Sequence, residues 1–394
     1  MHIFSVLLAV LAGSPTAVPT GGAAVPAEGT PFQAALSAID RDGKLVFTAE
    51  SGQRSLPAAE LVRWGAPQEF LRGPVVVFAD GGRLAADVTG IDKLNLMAHS
   101  PTFGSVTLPL EQVAGIVFLL PADLKRQTLL FDRALRAEGQ TDRVLLENND
   151  ELAGLVDLLD GDRVRIVTQA GPIEADRRNV AAVVFNPALR RPVRPEGRYA
   201  WIGLSDGSLF PAANVTLDGQ SLDVTAAAGR MGSGLPEDLA YFQPIGGRAV
   251  YLSSLEPETY RHVPYLEVSW SFARDRNVTG GPLQCGNRVY RTGLGMHTAA
   301  RITYPLDGGY GRFQSEVGVD DSTEGRGSVR FRVFVDGREQ YTGTAIRGGE
   351  SPKSIDLDVS GADRLDLVVD FAERAHVLDY ANWLDARLLL PVSP

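Results

Sequence analysis

A single cysteine, Cys285, stands in a chain of 394 residues. One thiol excludes an intramolecular disulfide and any cysteine-rich zinc site. Basic charge is also short. Thirty-eight Lys and Arg face 48 Asp and Glu, for a net charge of −10, and no long basic run occurs. Binding a phosphate backbone needs a basic face, so nucleic acid is not an expected partner. Long apolar stretches are missing too. The run Ile3 to Ala12 is about half of the roughly 20 residues that a membrane-spanning helix needs, and no later segment is long enough. No phosphate-loop or nucleotide fingerprint appears, and the acidic residues form no acid/base pair at a defined site. Apolar residues make up 44% and charged residues 22%, the balance of a globular protein rather than a disordered one.

Glycine (42) and proline (24) are plentiful. Turns at that density point to β structure. The apolar run Ile3–Ala12, followed by small residues through Ala24, reads as a secretory signal over 1–27, cleaved between about Ala17 and Ala27, with export to a periplasm or beyond. A small β unit then repeats. Its clearest copies lie at 72–120, 141–188 and 197–246, with turns at Asp80-Gly81-Gly82, Asn148-Asn149-Asp150 and Asp206-Gly207. A fainter, partial copy lies at 30–70. The closing phrases LPAAELVRW, LPLEQVAGIVF and LPEDLAYF are alike. Each copy offers enough short strands to curl into a small barrel, similar in strand grammar to SH3-like or Sm-like barrels. Such barrels would serve as spacers, a docking array or contact surfaces for protein partners. A connecting helix is expected within 121–140, from Leu124, Thr128, Phe131 and Leu135 at helical spacing. RRPVRP, Arg190–Pro195, reads as a stiff linker.

Past Gly246-Gly247 the texture changes, and an exposed linker between separately folding parts is expected there. Strands are predicted at 266–272, 301–304, 312–319, 329–335, 354–359, 364–371 and 383–390. This is an antiparallel sandwich of jelly-roll type over 248–394. The whole chain is therefore read as all-β: tandem small barrel-like repeats followed by a C-terminal sandwich. The stretches YLSSLEP from Tyr251, YRTGLGMHTAARITYPLDGGYGRFQSEVGVDDS from Tyr290, GSVRFRVFVDG from Gly327, LDLVVDF from Leu365 and YANWLDARL from Tyr380 resemble the NPCBM domains, which are related to the family 51 carbohydrate-binding modules. The resemblance implies a sandwich that binds a glycan or polysaccharide and does no catalysis itself. The alternatives are an extracellular structural or protein-interaction module and an accessory subunit of a glycoside hydrolase.

Five residues are candidates for the glycan site. His297 follows Gly293-Leu294-Gly295-Met296, and its imidazole would bond a sugar hydroxyl; otherwise it is a core histidine satisfied by a carbonyl. Asp320 and Asp321 end a strand, where paired carboxylates would hold Ca²⁺ or accept from hydroxyls, unless they merely shape a turn. Asn382, or Asp379 in its place, would take hydroxyls beside Trp383, whose indole would stack on a pyranose, unless Trp383 begins the last core strand. Trp270 is read as core. The sequons at Asn214 and Asn277 and the lone Cys285 carry no functional reading.

Overall fold

The computed structural model describes residues 21–69, 73–265, 268–373 and 376–391. The apolar run Ile3–Ala12 lies outside the described residues.

Four β units fill the first part of the chain, and each is closed by pairing its first strand with its last. Gly22–Pro26 pairs with Leu61–Gly65, Val75–Phe78 with Val113–Val117, Asp142–Leu146 with Val180–Val184, and Tyr199–Leu204 with Leu239–Ile245. The same local chemistry recurs in every unit. In the second hairpin an aspartate carboxylate accepts backbone N–H groups two and three or four residues ahead. These are Asp40 from Asp42 and Lys44, Asp92 from Leu94 and Asn95, Asp160 from Asp162 and Arg163, and Asp218 from Gln220 and Ser221. A single 3₁₀ turn then precedes the closing strand, at Ala58–Glu60, Leu110–Gln112, Arg177–Asn179 and Pro236–Asp238. The similar closing phrases in the sequence are this turn and strand.

Two expectations change here. The first unit is a complete five-stranded one rather than a partial copy, and it begins at Gly22. Ala24 is fully buried and Gly22–Ala24 pair with Phe32–Ala34. The expected signal over 1–27 would take in the strand Gly22–Pro26, which is paired with Phe32–Ala34 and with Leu61–Trp64. The units are also not beads on a stalk. Closing strands pair the first unit with the fourth and the second with the third, and one apolar core containing Ala24, Leu45, Val76, Val144 and Ile202 runs through all four.

The helix Leu124–Leu135 starts at an N-cap, Asp123, which accepts from the Arg126 N–H at 2.8 Å. It buries Phe131 and Ala134 against Val75, Val117 and Val184. Arg190 is no free linker residue. Its guanidinium donates to the carbonyls of Ala134 and Leu135 at the helix C-terminus and to those of Ala114 and Phe185. This satisfies carbonyls that the helix leaves open.

The C-terminal part is a sandwich of two six-stranded antiparallel sheets. One contains Gly293–His297, Tyr380–Leu389, Arg312–Val319 and Lys353–Asp358. The other contains Thr259–His262, Ala300–Pro305, Arg364–Phe371, Ser328–Val335 and Arg338–Thr342. Val329, Phe331, Val333 and Val335 all point into the core between them, as their alternation predicts. The strand expected at 266–272 is not formed over its described residues. Residues 268–272 are irregular, and only Ala273–Arg274 pair, with Leu294 and Gly295.

A buried joint locks sandwich to barrels. Arg63, on the first unit's closing strand, donates to Asp385 at 2.6 Å, and both side chains are nearly removed from solvent. Thr292 Oγ1 donates to the second Asp385 oxygen at 2.8 Å, and Tyr251 donates to the Val62 carbonyl at 2.9 Å. Burial opposes ionisation of Asp385, but Arg63 and Arg387 outweigh it and hold the carboxyl below its ordinary range. Ala27, Val62, Ala249, Tyr251 and Leu389 form an apolar patch beside the pair. The chain does pass between the two parts at Gly246-Gly247, but they share a core rather than a free linker. Asp385→Ala takes the hydrogen-bonded partner from the buried Arg63 cation and leaves it only the more distant Glu316, 3.7 Å away. The expected loss is about 3–5 kcal/mol in urea unfolding of the full chain; a loss under about 1 kcal/mol would mean that the pair does not hold the joint.

Candidate functional site

The sequence candidates divide between three places. Trp383 is core. It is fully buried, with Phe331 edge-on at 5.0 Å and Phe313 at 6.3 Å. No ligand reaches its indole, so it cannot be the stacking platform.

Asp320, Asp321 and Asn382 do come together, but to hold a loop. Both oxygens of Asp320 are taken by protein donors: Asn277 Nδ2 at 3.0 Å, the Ser322 N–H at 3.1 Å, the Gln284 N–H at 3.2 Å and Asn382 Nδ2 at 2.6 Å. Burial pushes its carboxyl up, and these donors work the other way. Asp321 accepts from the Gly286 and Asn287 N–H groups at 3.1 and 2.8 Å. These bonds press residues 276–287 onto the outer face of a sheet. Gly295 and Gly318 make the close approach possible, because a Cβ on either would collide with Arg276–Val278 backbone or with Cys285 Sγ. The carboxylates expected to bind Ca²⁺ are thus consumed internally. Among the described residues no group of three or more His, Cys, Asp or Glu is arranged to hold a metal.

His297 lies elsewhere, at one end of the sandwich. It ends the strand Gly293–His297, opposite Tyr380. The chain crosses through Thr298 to the other sheet, where His262 pairs with Ala300. Between the sheets a cleft of about 250 Å³ opens, lined by His262, Tyr265, Val268, Trp270, His297, Thr298, His376, Val377, Leu378 and Tyr380. None of these side chains is a carboxylate, ammonium or guanidinium. Trp270, expected in the core, stacks on the His297 imidazole, with centroids 4.8 Å apart and planes 8° from parallel. Tyr380 lies 6.0 Å from His297, and Tyr265 stacks on His376 at 4.7 Å. Tyr265, Val268 and Val377 are 62%, 64% and 57% exposed, which makes the rim apolar.

The polar groups are fixed from behind. His262 and His297 both bond the Thr298 carbonyl, at 2.9 and 2.8 Å. The Thr298 hydroxyl donates to Asp379 at 3.0 Å, and Asp379 also accepts from the Ser328 N–H at 2.9 Å. Burial, reinforced by the neighbouring His262 and His376, pushes the His297 imidazole below its ordinary value and favours the neutral ring. Burial pushes the Asp379 carboxyl up to about 6.

Of the residues lining this cleft, sequence reasoning named His297 as a site candidate and none of the others. The available signal was that three of the five histidines, His262, His297 and His376, fall in the sandwich. Their spacing has no period, and Trp270 sat in an apparent strand.

Residues 248–389 match the NPCBM/NEW2 domain. The chain is 32% identical over 117 residues to a Renibacterium salmoninarum protein named "Putative endo-alpha-N-acetylgalactosaminidase", covering 29% of this chain and 8% of that protein. It is 30% identical over 115 residues to "Alpha-1,3-galactosidase B" of Akkermansia muciniphila, covering 28% and 14%. The chain therefore spans a small fraction of these relatives. A solved CBM51 from Clostridium perfringens GH95, in complex with methyl-galactose, aligns at 26% identity over 36% of this chain and 99% of that one, with a TM-score of 0.32.

Asp379 gives the cleft a pH signature. Its folded value lies above the ordinary 3.8, so the protonated form is the one that folding favours. That contribution is complete below about pH 4 and is lost as pH rises through about 6, up to roughly 3 kcal/mol. Asp379→Asn should remove this fall. Melting temperatures of both proteins from pH 4 to 8 check it, and parallel curves would refute it.

Proposed function

We propose, taking residues 248–389 as an NPCBM/NEW2 domain, that this chain is an exported, non-catalytic carbohydrate-binding protein whose glycan site is the His297–Trp270 cleft. One observation carries the reading. An indole and an imidazole lie parallel at a small cleft whose described lining residues carry no carboxylate, ammonium or guanidinium, with an apolar rim and a few fixed polar groups. An apolar surface suits the C–H face of a pyranose, and imidazole and hydroxyl groups suit its hydroxyls. The uncharged side chains among the described lining residues favour a neutral sugar. The volume suits one ring rather than a long chain. The barrel array is the support that holds the sandwich, and its acidic balance disfavours polyanionic partners. Among the described residues no helix is long and apolar enough to cross a membrane, and the Ile3–Ala12 run supports export.

A glycan array on the full chain, followed by calorimetry with methyl galactoside and N-acetylglucosamine as first probes, tests the reading. Trp270→Ala should lower affinity at least tenfold while the melting temperature stays within about 2 °C. Trp383→Ala should instead cost about 3–5 kcal/mol of stability, because it empties a core site. Retained binding in Trp270→Ala would place the glycan elsewhere. No hit on the array would leave the cleft without the assigned ligand and overturn the reading.

A further inference from the structure

The two imidazoles at the back of the cleft have their tautomers set by their neighbours. The Trp270 backbone N–H points at His262 Nδ1, 3.2 Å away. An N–H can only donate, so Nδ1 must be the acceptor and the proton of a neutral ring sits on Nε2. That Nε2–H donates to the Thr298 carbonyl at 2.9 Å. His297 meets the same carbonyl with its Nδ1, at 2.8 Å, and a carbonyl can only accept. His297 therefore carries its proton on Nδ1. Its Nε2 is left with a lone pair and no protein partner among the described residues, in a ring that lines the cleft.

The same contacts place the platform. The Trp270 peptide is held at both ends of its polar backbone, by His262 at the N–H and by the Tyr260 hydroxyl at the carbonyl, 2.9 Å away. Residues 268–272 form no strand, so no sheet ladder does this work. With the backbone pinned, the indole lies flat on His297.

We propose that His262 is the positioning residue of this cleft, acting through Trp270 and His297, and that the ligand group meeting His297 is a hydrogen-bond donor such as a sugar hydroxyl. The proposal rests on the reading of the cleft as a glycan site, but its geometric half stands without any ligand. His262 holds the platform with one ring nitrogen and, with the other, shares the carbonyl that fixes His297. A ligand offering only acceptors at that point, such as a carboxylate, meets an acceptor and is rejected. The neutral state of His297, favoured by burial, is consistent with this.

Two substitutions separate the roles. His262→Asn keeps an acceptor near the Nδ1 position and can still bond the Trp270 N–H. His262→Gln sets its amide near the Nε2 position and reaches only the Thr298 side. In near-ultraviolet circular dichroism of the full chain, with Trp270→Phe as the reference, His262→Asn should keep the Trp270 signal and His262→Gln should lose it. Affinity for whichever of the two sugar probes binds should follow, within about threefold for Asn and down at least tenfold for Gln. Equal losses in both variants, or none in either, would reduce His262 to packing and overturn the proposal. Long-range ¹H–¹⁵N spectra of the unmodified protein need no variant to fold. They should show His262 protonated on Nε2 and His297 on Nδ1, and the opposite tautomers would overturn it. A deoxyfluoro series of the bound sugar completes the test. One position should lose at least tenfold when its hydroxyl becomes fluorine, which cannot donate; a flat series would sink the donor requirement. A glycan array without a hit would refute the glycan reading alone, since the dichroism and the tautomers are read without sugar.

Discussion

Arg63 and Asp385 lie 322 residues apart in sequence and 2.6 Å apart in space, both out of water. A pair in that setting needs further hydrogen bonds to offset the loss of water, and several are in place. Thr292 occupies the other carboxylate oxygen, the Gly65 carbonyl takes a second proton of Arg63, and the Asp385 carbonyl accepts from Arg387. Asp385 itself sits at a φ of 47°, where the strand's register with Arg312–Val319 shifts. The backbone leaves the regular ladder to aim this one carboxylate at the barrels. Replacing the pair by apolar residues of similar volume need not cost stability, so its value lies in fixing one docking geometry. Arg276 with Asp132, Gln284 with Glu69, and Arg248 with Glu28 and Glu60 add further ties in the same interface.

One strand, Tyr380–Leu389, carries these roles in order. Tyr380 faces the cleft, Asn382 grips the loop through Asp320, Trp383 fills the core, Asp385 meets Arg63, and Leu389 joins the apolar patch at the barrels. At about 3.4 Å per residue, Tyr380 is roughly 17 Å from Asp385 and roughly 30 Å from Leu389 along the strand. Cleft and joint are therefore at different levels of the same rigid element.

The repeats were legible because their turns are local. An aspartate that accepts the N–H two residues ahead leaves a short signature, and it recurs in all four units. Alternating positions such as Val329, Phe331, Val333 and Val335 gave the sandwich for the same reason, since strand period and burial are written in consecutive residues. The cleft was illegible because its chemistry is not local. Trp270 belongs to an irregular segment held by His262 and Tyr260, and nothing in LEVSWSF distinguishes it from a core strand. Of the candidates in the matching phrases, His297 lines the cleft and the others serve packing. Gly295 and Gly318 admit a loop, and Asp320 and Asn382 tie it down. A resemblance strong enough to identify a domain can rest on such groups and say nothing of where a ligand sits.

The size of the cleft also bears on how a site of this kind works. A cleft of this size meets a single sugar ring with one indole and a few neutral groups, so the contacts available to each ring are few. On the proposed reading, the chain cannot rely on tight capture of one ring. It gains instead from presenting the ring's binding site in a fixed orientation, because a weak site becomes effective when a second contact or a second copy engages the same polymer and the geometry lets both bind at once. A swivelling sandwich would spend that advantage as lost orientation on every encounter. The buried Arg63–Asp385 pair, with the further ties around it, opposes the swivel. The joint and the cleft are in this sense one design: a small, neutral, weak pocket is useful where the frame behind it does not move.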